Sequence, residues 1–244
     1  MILSRHTDEQ KSKYLKDLFG EAYIKDIIER NKIRNLGELE ELLDVMASSI
    51  GSLANPNRIS NTFSSVKKAN LDPETIKKYL VCFENAFILS EVKRYDIKGR
   101  RYINTPLKYY FEDIGLRNAR LDLRQLEEPH MMENIIYNEL RRRGYNIDIG
   151  VVEINEKKDD RYIRKQLEVD FIASKGSKKY YIQVAQSLSD PGKQQQESAS
   201  LSNIRDGFQK IIIRKDNSVS YIDDNGIYNL FLYDFLLDKK RVDF

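Results

Sequence analysis

Residues 166–185 read QLEVDFIASKGSKKYYIQVA, and the fold prediction starts from this stretch. Apolar and polar side chains alternate over 166–173 and again over 179–185, which is typical of β-strands. Lys175-Gly176-Ser177-Lys178 lies between them and supplies turn residues. The stretch is therefore predicted to be a β-hairpin.

Helices and further strands flank this hairpin. A helix is predicted from Met131 to Arg143, ended by Gly144 as its C-cap, and a strand from Asn146 to Asn155. After the hairpin, the pattern predicts a helix over Glu197–Gly207, a strand over Lys210–Ile213, a turn over Asp223–Gly226 and a closing helix over Leu230–Leu237. This order indicates an α/β (α+β) fold, in which helices pack on a mixed sheet.

The first half of the chain is predicted to begin with helices. Thr7 followed by Gln10 fits a capping box, and apolar residues then recur at helical spacing up to about Ile50. Asn55-Pro56-Asn57 is interpreted as a break. Beyond it the sequence predicts helices over Ile59–Lys68 and Pro73–Asn85, the second with Asp72 as N-cap, and a hairpin turning at Lys98-Gly99-Arg100. Two short helices followed by a basic hairpin describe a winged helix.

The composition is that of a globular protein. The chain has 244 residues, of which 32% are charged and 41% hydrophobic, and its net charge is +3. The single cysteine, Cys82, excludes an intrachain disulfide and a Cys-rich zinc site and is expected to be buried. With only His6 and His130, a histidine-based metal site is not expected. No apolar run approaches the roughly 18 residues of a membrane span, so no membrane partner and a cytoplasmic location are expected.

Acidic residues stand where a metal-dependent nuclease needs them. Glu133 lies in the predicted helix, Asp170 in the first strand of the hairpin and Gln183-Val184-Ala185 in the second. Magnesium prefers oxygen ligands, and a nearby lysine activates water or stabilises developing charge. The stretch from Glu133 to Arg214 resembles the core of the restriction-nuclease-like superfamily. There, a helix carboxylate, an Asp at a strand bend and a Glu-x-Lys on the next strand supply these groups.

Two of the groups that the resemblance implies are replaced. Gln183 offers a neutral carbonyl in place of a carboxylate, and Ala185 stands in place of the lysine. Because such groups act as a unit, their loss is expected to remove most of the rate. The catalytic candidates are Glu133, Asp170 and Gln183, as a degenerate site. No cofactor and no metal are expected, and Mg²⁺ would bind Glu133 and Asp170 only if the chain is a nuclease.

Other interpretations of these carboxylates stay open. The helix carboxylate also suits the first turn of a helix, where acids are favourable, and Glu139 is an alternative for its role. Glu168 and Asp170 are two positions apart in a strand, so they are predicted to point to the same face. If Asp170 points inward it requires a hydrogen-bond partner, for which Gln183 and Gln186 are candidates.

Basic residues mark the predicted nucleic-acid contacts. They are Lys77 and Lys78 in the second helix, and Lys98, Arg100 and Arg101 in the hairpin. Winged helices commonly bind DNA with the second helix in the major groove and the wing on the phosphate backbone. The same fold also docks proteins. DNA and a protein are therefore both retained as expected partners.

Longer motifs carry a resemblance to one family. They are Lys108-Tyr109-Tyr110-Phe111-Glu112-Asp113-Ile114-Gly115-Leu116-Arg117-Asn118, Glu133-Asn134-Ile135-Ile136-Tyr137-Asn138-Glu139-Leu140, Glu168-Val169-Asp170-Phe171 and Tyr181-Ile182-Gln183-Val184-Ala185. In this order they are similar to the C-terminal region of bacterial and archaeal AAA-type ATPases, a region catalogued as a domain of unknown function. The resemblance implies an ATPase domain in the full-length protein. Since this chain has no Gly-x-x-x-x-Gly-Lys-Ser/Thr, ATP hydrolysis is not implied for it.

These interpretations give a three-part organisation and two functional hypotheses. Residues 1–54 are expected to be a helical segment that follows an ATPase domain absent from this sequence. Residues 55–126 are expected to form the winged helix, and residues 127–244 the restriction-nuclease-like domain. The first hypothesis is a non-catalytic module of an ATPase that binds nucleic acid or a protein. The second is a magnesium-dependent DNA nuclease using Glu133 and Asp170.

Overall fold

The structure is a computed structural model that describes residues 4, 7–67, 71–158, 161–186, 198–216 and 219–238. It combines helices with a mixed sheet, which confirms the predicted α+β class. The chain divides into two compact units, each made of two segments. Unit 1 comprises Met1–Glu91 and Pro106–Asn134, and unit 2 comprises Val92–Thr105 and Ile135–Phe244. The three-part organisation with boundaries at 54/55 and 126/127 stays a prediction.

Unit 1 is mainly helical. Its helices are α1 (Asp8–Leu18), α2 (Lys25–Asn31), α3 (Leu36–Ser48), α4 (Pro56–Thr62), α5 (Pro73–Asn85), α6 (Ile114–Arg120) and the first part of α7 (Glu128–Arg142). Two π-helical turns, Phe19–Ile24 and Phe63–Lys67, follow α1 and α4. Strand β1 (Leu53–Ala54) pairs antiparallel with β3 (Arg101–Phe111), which follows β2 (Leu89–Asp96) in the chain.

Polar side chains fix the starts of these helices. The Gln10 backbone amide donates to Thr7 Oγ1 at 3.2 Å, which confirms the Thr7 half of the predicted capping box, and Asp72 caps α5 as predicted. Asn55, in the predicted break, is extended and is the N-cap of α4, and Pro56 is the first residue of that helix, so the helix predicted from Ile59 begins three residues earlier. Proline is well placed there, since the amide that it lacks would have no partner in the first turn.

One apolar cluster forms the core of unit 1. The side chains that α3 contributes recur at helical spacing and are at most 3% exposed: Leu39, Leu42, Leu43 and Met46. Helix α5 contributes Ile76, Leu80 and Phe83 to the same cluster. Burying one such side chain contributes about 1.5–3 kcal/mol relative to leaving it in water. Cys82 is a buried free thiol of this cluster, as predicted.

Unit 2 is built on a mixed sheet. Its strands are the adjoining parts of β2 and β3 together with β4 (Asn146–Lys158), β5 (Arg161–Lys175), β6 (Lys178–Ala185), β7 (Gln209–Arg214), β8 (Tyr221–Ile222) and β9 (Tyr228–Phe231). The order in the sheet is β3-β2-β4-β5-β6-β7-β9-β8. The pairs β2/β4, β6/β7 and β7/β9 are parallel, and the others with a described register are antiparallel. The predicted hairpin of residues 166–185 is confirmed as β5 and β6.

Strand β5 contains a β-bulge at Asp170. Asp148 pairs with Ile172 and Gly150 with Val169, so two residues of β5, Asp170 among them, lie opposite a single residue of β4. A β-carbon on Gly150 would come within 2.8 Å of Val169 Cβ, so the strands approach too closely for a side chain there. Bulges bend a strand and re-aim its side chains.

The last part of the chain differs from the prediction. Residues Tyr228–Phe231 form strand β9 and only Leu232–Leu237 are helical (α9), so the predicted helix over Leu230–Leu237 began too early. Leu230 is in register with Ile213 of β7, and this pairing overrides the helical pattern. Of the predicted helix over Glu197–Gly207, residues 198–202 are helical (α8), and Glu197 lies outside the described residues.

Candidate functional site

Glu133 is engaged by two side chains of unit 1. Its Oε1 accepts a hydrogen bond from Lys108 Nζ at 2.9 Å and one from the Tyr110 hydroxyl at 2.5 Å. Lys108 and Tyr110 are two residues apart on β3 and therefore project from the same face of that strand. The side chains of Lys108 and Glu133 are only 5% and 12% exposed. The predicted nuclease carboxylate is thus one half of a buried ion pair.

The backbone at Gly51 lies against the carboxylate of this ion pair. Gly51 has φ +69, and a β-carbon there would lie 3.4 Å from Glu133 Oε2 and 3.5 Å from His130 Nδ1. The left-handed conformation favours glycine, and the short distances leave little room for a side chain. Gly51 therefore limits access to the carboxylate from this direction.

The residue after Glu133 ties the helix to β3. Asn134 is fully buried, its Nδ2 donates to the Phe111 carbonyl at 2.7 Å, and its Oδ1 accepts from the Phe111 amide at 2.8 Å. The side-chain amide thus bonds both backbone groups of one strand residue, as a neighbouring strand would. This contact positions the start of α7, and with it Glu133.

Asp170 is buried in unit 2 and bonded to the backbone. Its Oδ2 accepts from the Val184 amide at 2.7 Å. The described register between β5 and β6 ends at Phe171 and Ile182, so Val184 lies beyond their ladder. The carboxylate takes the place of a strand partner for this amide. This backbone amide is a hydrogen-bond partner of Asp170 that the sequence did not predict.

The two replaced positions of the nuclease motif lie on β6. Gln183 Oε1 accepts a hydrogen bond from Ser200 Oγ at 3.3 Å. Ala185 is 3% exposed and belongs to an apolar cluster with Leu201 and Ile212. Position 185 is therefore part of the core, where an ammonium group would lose its hydration.

Within its own unit, each of the two candidate carboxylates already has a partner. Glu133 is neutralised by an ammonium in unit 1, and Asp170 is bonded to an amide in unit 2. Within the described ranges, no three side chains of the His, Cys, Asp and Glu type are grouped to hold a metal ion. This donor set does not fit Mg²⁺, which requires several oxygen ligands around one point.

The alternative helix carboxylate, Glu139, is held by arginines of its own helix. Its oxygens accept bonds of 2.6–2.7 Å from Arg142 and Arg143. Burial raises the pKa of the Glu139 carboxyl, but these bonds outweigh it and leave the pKa below its ordinary value. Arg143 also lies over the ring of Phe235, with 4.5 Å from its Cζ to the ring centroid. Glu139 therefore orients Arg143, which packs against α9.

The predicted basic residues of the second helix belong to unit 1. Lys77 Nζ forms an ion pair with Glu74 Oε1 at 2.7 Å, one turn earlier on α5. Lys78 follows on the same helix and is exposed. Part of the positive charge of this helix is therefore compensated locally.

The basic residues of the hairpin belong to unit 2 and surround its turn. Lys98 Nζ donates to the Glu153 carbonyl at 2.7 Å, which ties the turn to β4. Arg101 is 78% exposed and lies 3.6 Å from Asp96 Oδ2. Arg100 is exposed and adopts φ 53, in the left-handed region. The turn is thus fixed by local contacts while its guanidinium groups face solvent.

Sequence reasoning did not single out the partners of Glu133. Lys108 and Tyr110 lie within a longer motif that does not distinguish them, and Gly51 belongs to no motif. The alternation of Lys108 and Tyr110 in an otherwise apolar segment was the signal that could have identified them. Their pairing with Glu133 joins residues 25 and 23 positions apart, which no local pattern reveals.

The fold is mixed α/β, and in the described part of the chain no three His, Cys, Asp or Glu side chains are grouped to hold a metal ion. The chain belongs to the family described as "Domain of unknown function (DUF8612)", which matches residues 1–127. It is 34% identical to an "Uncharacterized protein" of Haemophilus influenzae over 228 residues, 93% of this chain and 52% of that protein. It is 26% identical to "Uncharacterized protein MJ1544" of Methanocaldococcus jannaschii over 196 residues, 80% of this chain and 41% of that protein.

The chain therefore spans about half of the first relative and less of the second. A solved structure, that of protein VC1899 from Vibrio cholerae, covers 86% of this chain with 56% of its own, at 13% identity and a TM-score of 0.32. This likeness is too distant to carry an argument. In the described part of the chain, no helix has both the length and the apolar character needed to cross a bilayer.

Proposed function

We propose that this chain is a nucleic-acid-binding module with a degenerate, non-catalytic nuclease-like site. The observation that carries the binding proposal is the cationic turn between β2 and β3, where Arg100 and Arg101 are exposed beside Lys98. Exposed guanidinium groups bind phosphates and release the counterions condensed on nucleic acid, which favours association. Hydrogen bonds made by Lys98 and Asp96 hold this turn, so the backbone from which its arginines project is fixed.

The loss of catalysis is supported by how the candidate groups are already used. Glu133 is paired with Lys108, and Ala185 fills a core position in place of a lysine. Freeing Glu133 for a metal would leave the Lys108 ammonium buried without its carboxylate, which costs several kcal/mol. We therefore propose that Glu133 and Asp170 stabilise the fold and that they bind no metal or cofactor.

The proposal includes a winged helix and an ATPase context. Helices α4 and α5 followed by the β2–β3 hairpin give the element order of a winged helix, with Lys77 and Lys78 on its second helix. The motif order that resembles the AAA-type ATPases, and relatives about twice as long as this chain, support a further ATPase domain in the full-length protein. The proposed location is the cytoplasm.

Salt-dependent binding tests the proposal. The affinity of the chain for a labelled duplex should fall steeply with salt concentration, because each phosphate contact contributes a slope of about −0.9 in log K against log [salt]. The double variant Arg100→Glu/Arg101→Glu should weaken binding and reduce this slope by about two. Lys13→Glu/Lys25→Glu on the exposed surface of α1 and α2 is the control with the same change in net charge. If the chain binds no nucleic acid at low salt, docking of a protein becomes the better explanation.

The competing function, a magnesium-dependent nuclease, has its own test. Supercoiled plasmid is incubated with the chain and Mg²⁺ or Mn²⁺, and relaxed or linear products are measured. We expect none. Metal-dependent cleavage that Asp170→Ala abolishes would establish the nuclease and overturn the non-catalytic assignment.

A further inference from the structure

One face of the unit 2 sheet carries exposed aromatic rings next to lysines. We name it the aromatic–lysine surface, and it consists of Lys93, Tyr95, Tyr102, Asp148, Lys179 and Phe208. At one end, the rings of Tyr95 and Tyr102 meet edge to face with 5.2 Å between centroids. The Tyr102 hydroxyl donates to Asp148 Oδ2 at 3.3 Å, and its side chain is still 57% exposed. The ring is thus held in place and open to solvent.

The other end of this surface has the same combination of groups. Lys179 Nζ lies 4.7 Å from the centroid of the Phe208 ring, which is 40% exposed. Tyr181 supports Phe208 from the side, with 6.4 Å between the ring centroids and 75° between the ring planes. A second exposed ring is therefore fixed by neighbours, with a cation against it.

The strand register shows that these two ends share one face. Asp148 of β4 is paired with Ile172 of β5, which is paired with Tyr181 of β6. Directly paired residues project to the same side of a sheet, and Lys179 lies two positions before Tyr181 on β6. The side chains of Asp148 and Lys179 therefore project from the same face of the sheet, on which Ile172 and Tyr181 themselves are buried.

The charged groups of this surface influence one another. Burial raises the pKa of the Asp148 carboxyl, while the Tyr102 hydroxyl and the ammonium groups of Lys93 and Lys179 oppose this rise. Both lysines thus act on one carboxylate. Burial and the Asp206 carboxylate raise the pKa of the Tyr181 hydroxyl, and the Arg100 guanidinium of the hairpin turn opposes that rise.

We propose that the aromatic–lysine surface binds single-stranded nucleic acid, with bases stacked on Tyr102 and Phe208 and phosphates near Lys93, Lys179 and Arg100. This inference rests on the proposed nucleic-acid binding and names its substrate class. Fixed, exposed rings with cations beside them form a stacking platform, which every base can use because every base has a π-face. In a duplex these base faces are covered by their neighbours, so the rings distinguish single strands from duplexes.

The carboxylates of Asp148 and Asp206 lie on this face and oppose phosphate binding. Both accept hydrogen bonds from neighbouring groups. Asp148 accepts from Tyr102, and Asp206 accepts from the Tyr181 hydroxyl at 2.5 Å and from the Phe208 amide at 3.2 Å. These hydrogen bonds stabilise the negative charge of both carboxylates. The lysines and the arginine of the turn leave the cations in excess on the side where phosphates would lie.

The test compares a labelled oligothymidine of about 15 nucleotides with a duplex of equal length, using the full chain. Tyr102→Ala and Phe208→Ala should each weaken oligothymidine binding about tenfold and leave duplex binding unchanged. Their salt slopes should match that of the unmodified chain, since stacking releases no counterions. Tyr162→Ala removes an aromatic side chain that is 76% exposed elsewhere in unit 2 and is the matched control.

A second measurement reports on Phe208 directly. The chain contains no tryptophan, so Phe208→Trp introduces a single indole whose emission should be quenched when oligothymidine stacks on it. Oligothymidine binding without quenching, and without an effect of either alanine variant, would overturn the single-strand proposal. In that case the proposed function would still stand if the Arg100→Glu/Arg101→Glu variant lost duplex binding. If the unmodified chain binds neither probe at low salt, both proposals fail.

Discussion

Lys108 Nζ lies 2.9 Å from Glu133 Oε1, and both side chains are nearly inaccessible to water. Transfer of either charge from water into the protein is costly, and the mutual attraction of the pair offsets this cost only while both members are present. The Tyr110 hydroxyl adds a second donor to the same carboxylate oxygen. The relationship explains why a residue that resembles a metal ligand serves the stability of unit 1.

The ion pair predicts an asymmetry between single and double variants. Lys108→Met leaves the Glu133 carboxylate buried without its cation, and it should lower the free energy of unfolding by about 3–5 kcal/mol. Lys108→Met/Glu133→Met removes both charges. It should lower the free energy of unfolding by markedly less than the sum of the losses from Lys108→Met and Glu133→Met. Urea denaturation measures the free energy of unfolding of these three variants. Lys77→Met, which breaks the exposed pair with Glu74, is the control and should change stability by less than about 1 kcal/mol. Additive single and double effects would contradict the buried-pair assignment.

The double contact of Asn134 with β3 gives a second stability prediction. Asn134→Ala removes the partner of both the Phe111 amide and the Phe111 carbonyl, and each buried group left without one costs about 1–3 kcal/mol. The free energy of unfolding in urea should therefore fall by at least about 2 kcal/mol. Asn85→Ala, at the exposed end of α5, serves as the control. A loss for Asn134→Ala no larger than that of the control would show that the contact has no energetic role.

Sequence reasoning predicted the elements that local chemistry determines. The capped start of α5, the C-cap at Gly144 and the hairpin of β5 and β6 follow from the preferences of a few adjacent residues, and the structure confirms them. Asn55-Pro56 shows the limit of such signals, because the pair interpreted as a break is also the start of helix α4. The start of β9 was missed because its pairing with β7 involves residues distant in sequence.

The candidate site was predicted less completely than the fold. Asp170 was expected to need a partner if buried. It is buried, and one donor is the backbone amide of Val184, next to the bulge in β5, which no residue pattern predicts. The partners of Glu133 are side chains on a strand more than 20 residues earlier. Tertiary contacts of this kind decide whether a carboxylate is a ligand or one half of an ion pair, and residue spacing does not encode them.

Glu84 gives unit 1 a dependence on pH near neutrality. Burial raises the pKa of the Glu84 carboxyl to about 7, and the neighbouring Glu91 carboxylate adds to the shift. Since the ordinary value is 4.5, the folded protein holds this proton between pH 4.5 and 7 while the unfolded chain releases it. The free energy of unfolding should therefore decrease as pH rises through this window and level off above it.

Glu84→Gln isolates this contribution. The amide mimics the protonated acid at every pH, so the variant should be more stable than the unmodified chain at pH 8 and equal to it at pH 4. Urea denaturation at several pH values between these limits gives the difference. Glu74→Gln, on the exposed first turn of α5, controls for the change in net charge. A stability difference that does not vary with pH would rule out the raised pKa as its cause.

Restoring the two replaced groups of the nuclease motif should fail to restore cleavage. In Gln183→Glu/Ala185→Lys, the new lysine enters the apolar cluster around Leu201 and Ile212, where it is overpacked and poorly hydrated. The free energy of unfolding should drop by about 2 kcal/mol or more, whereas Gln186→Lys, at an exposed position one residue further on, should have little effect. Plasmid incubated with the double variant and Mg²⁺ should stay supercoiled, because Glu133 remains paired with Lys108. Cleavage by this variant, lost again on Asp170→Ala, would instead show that the rest of the site had stayed competent.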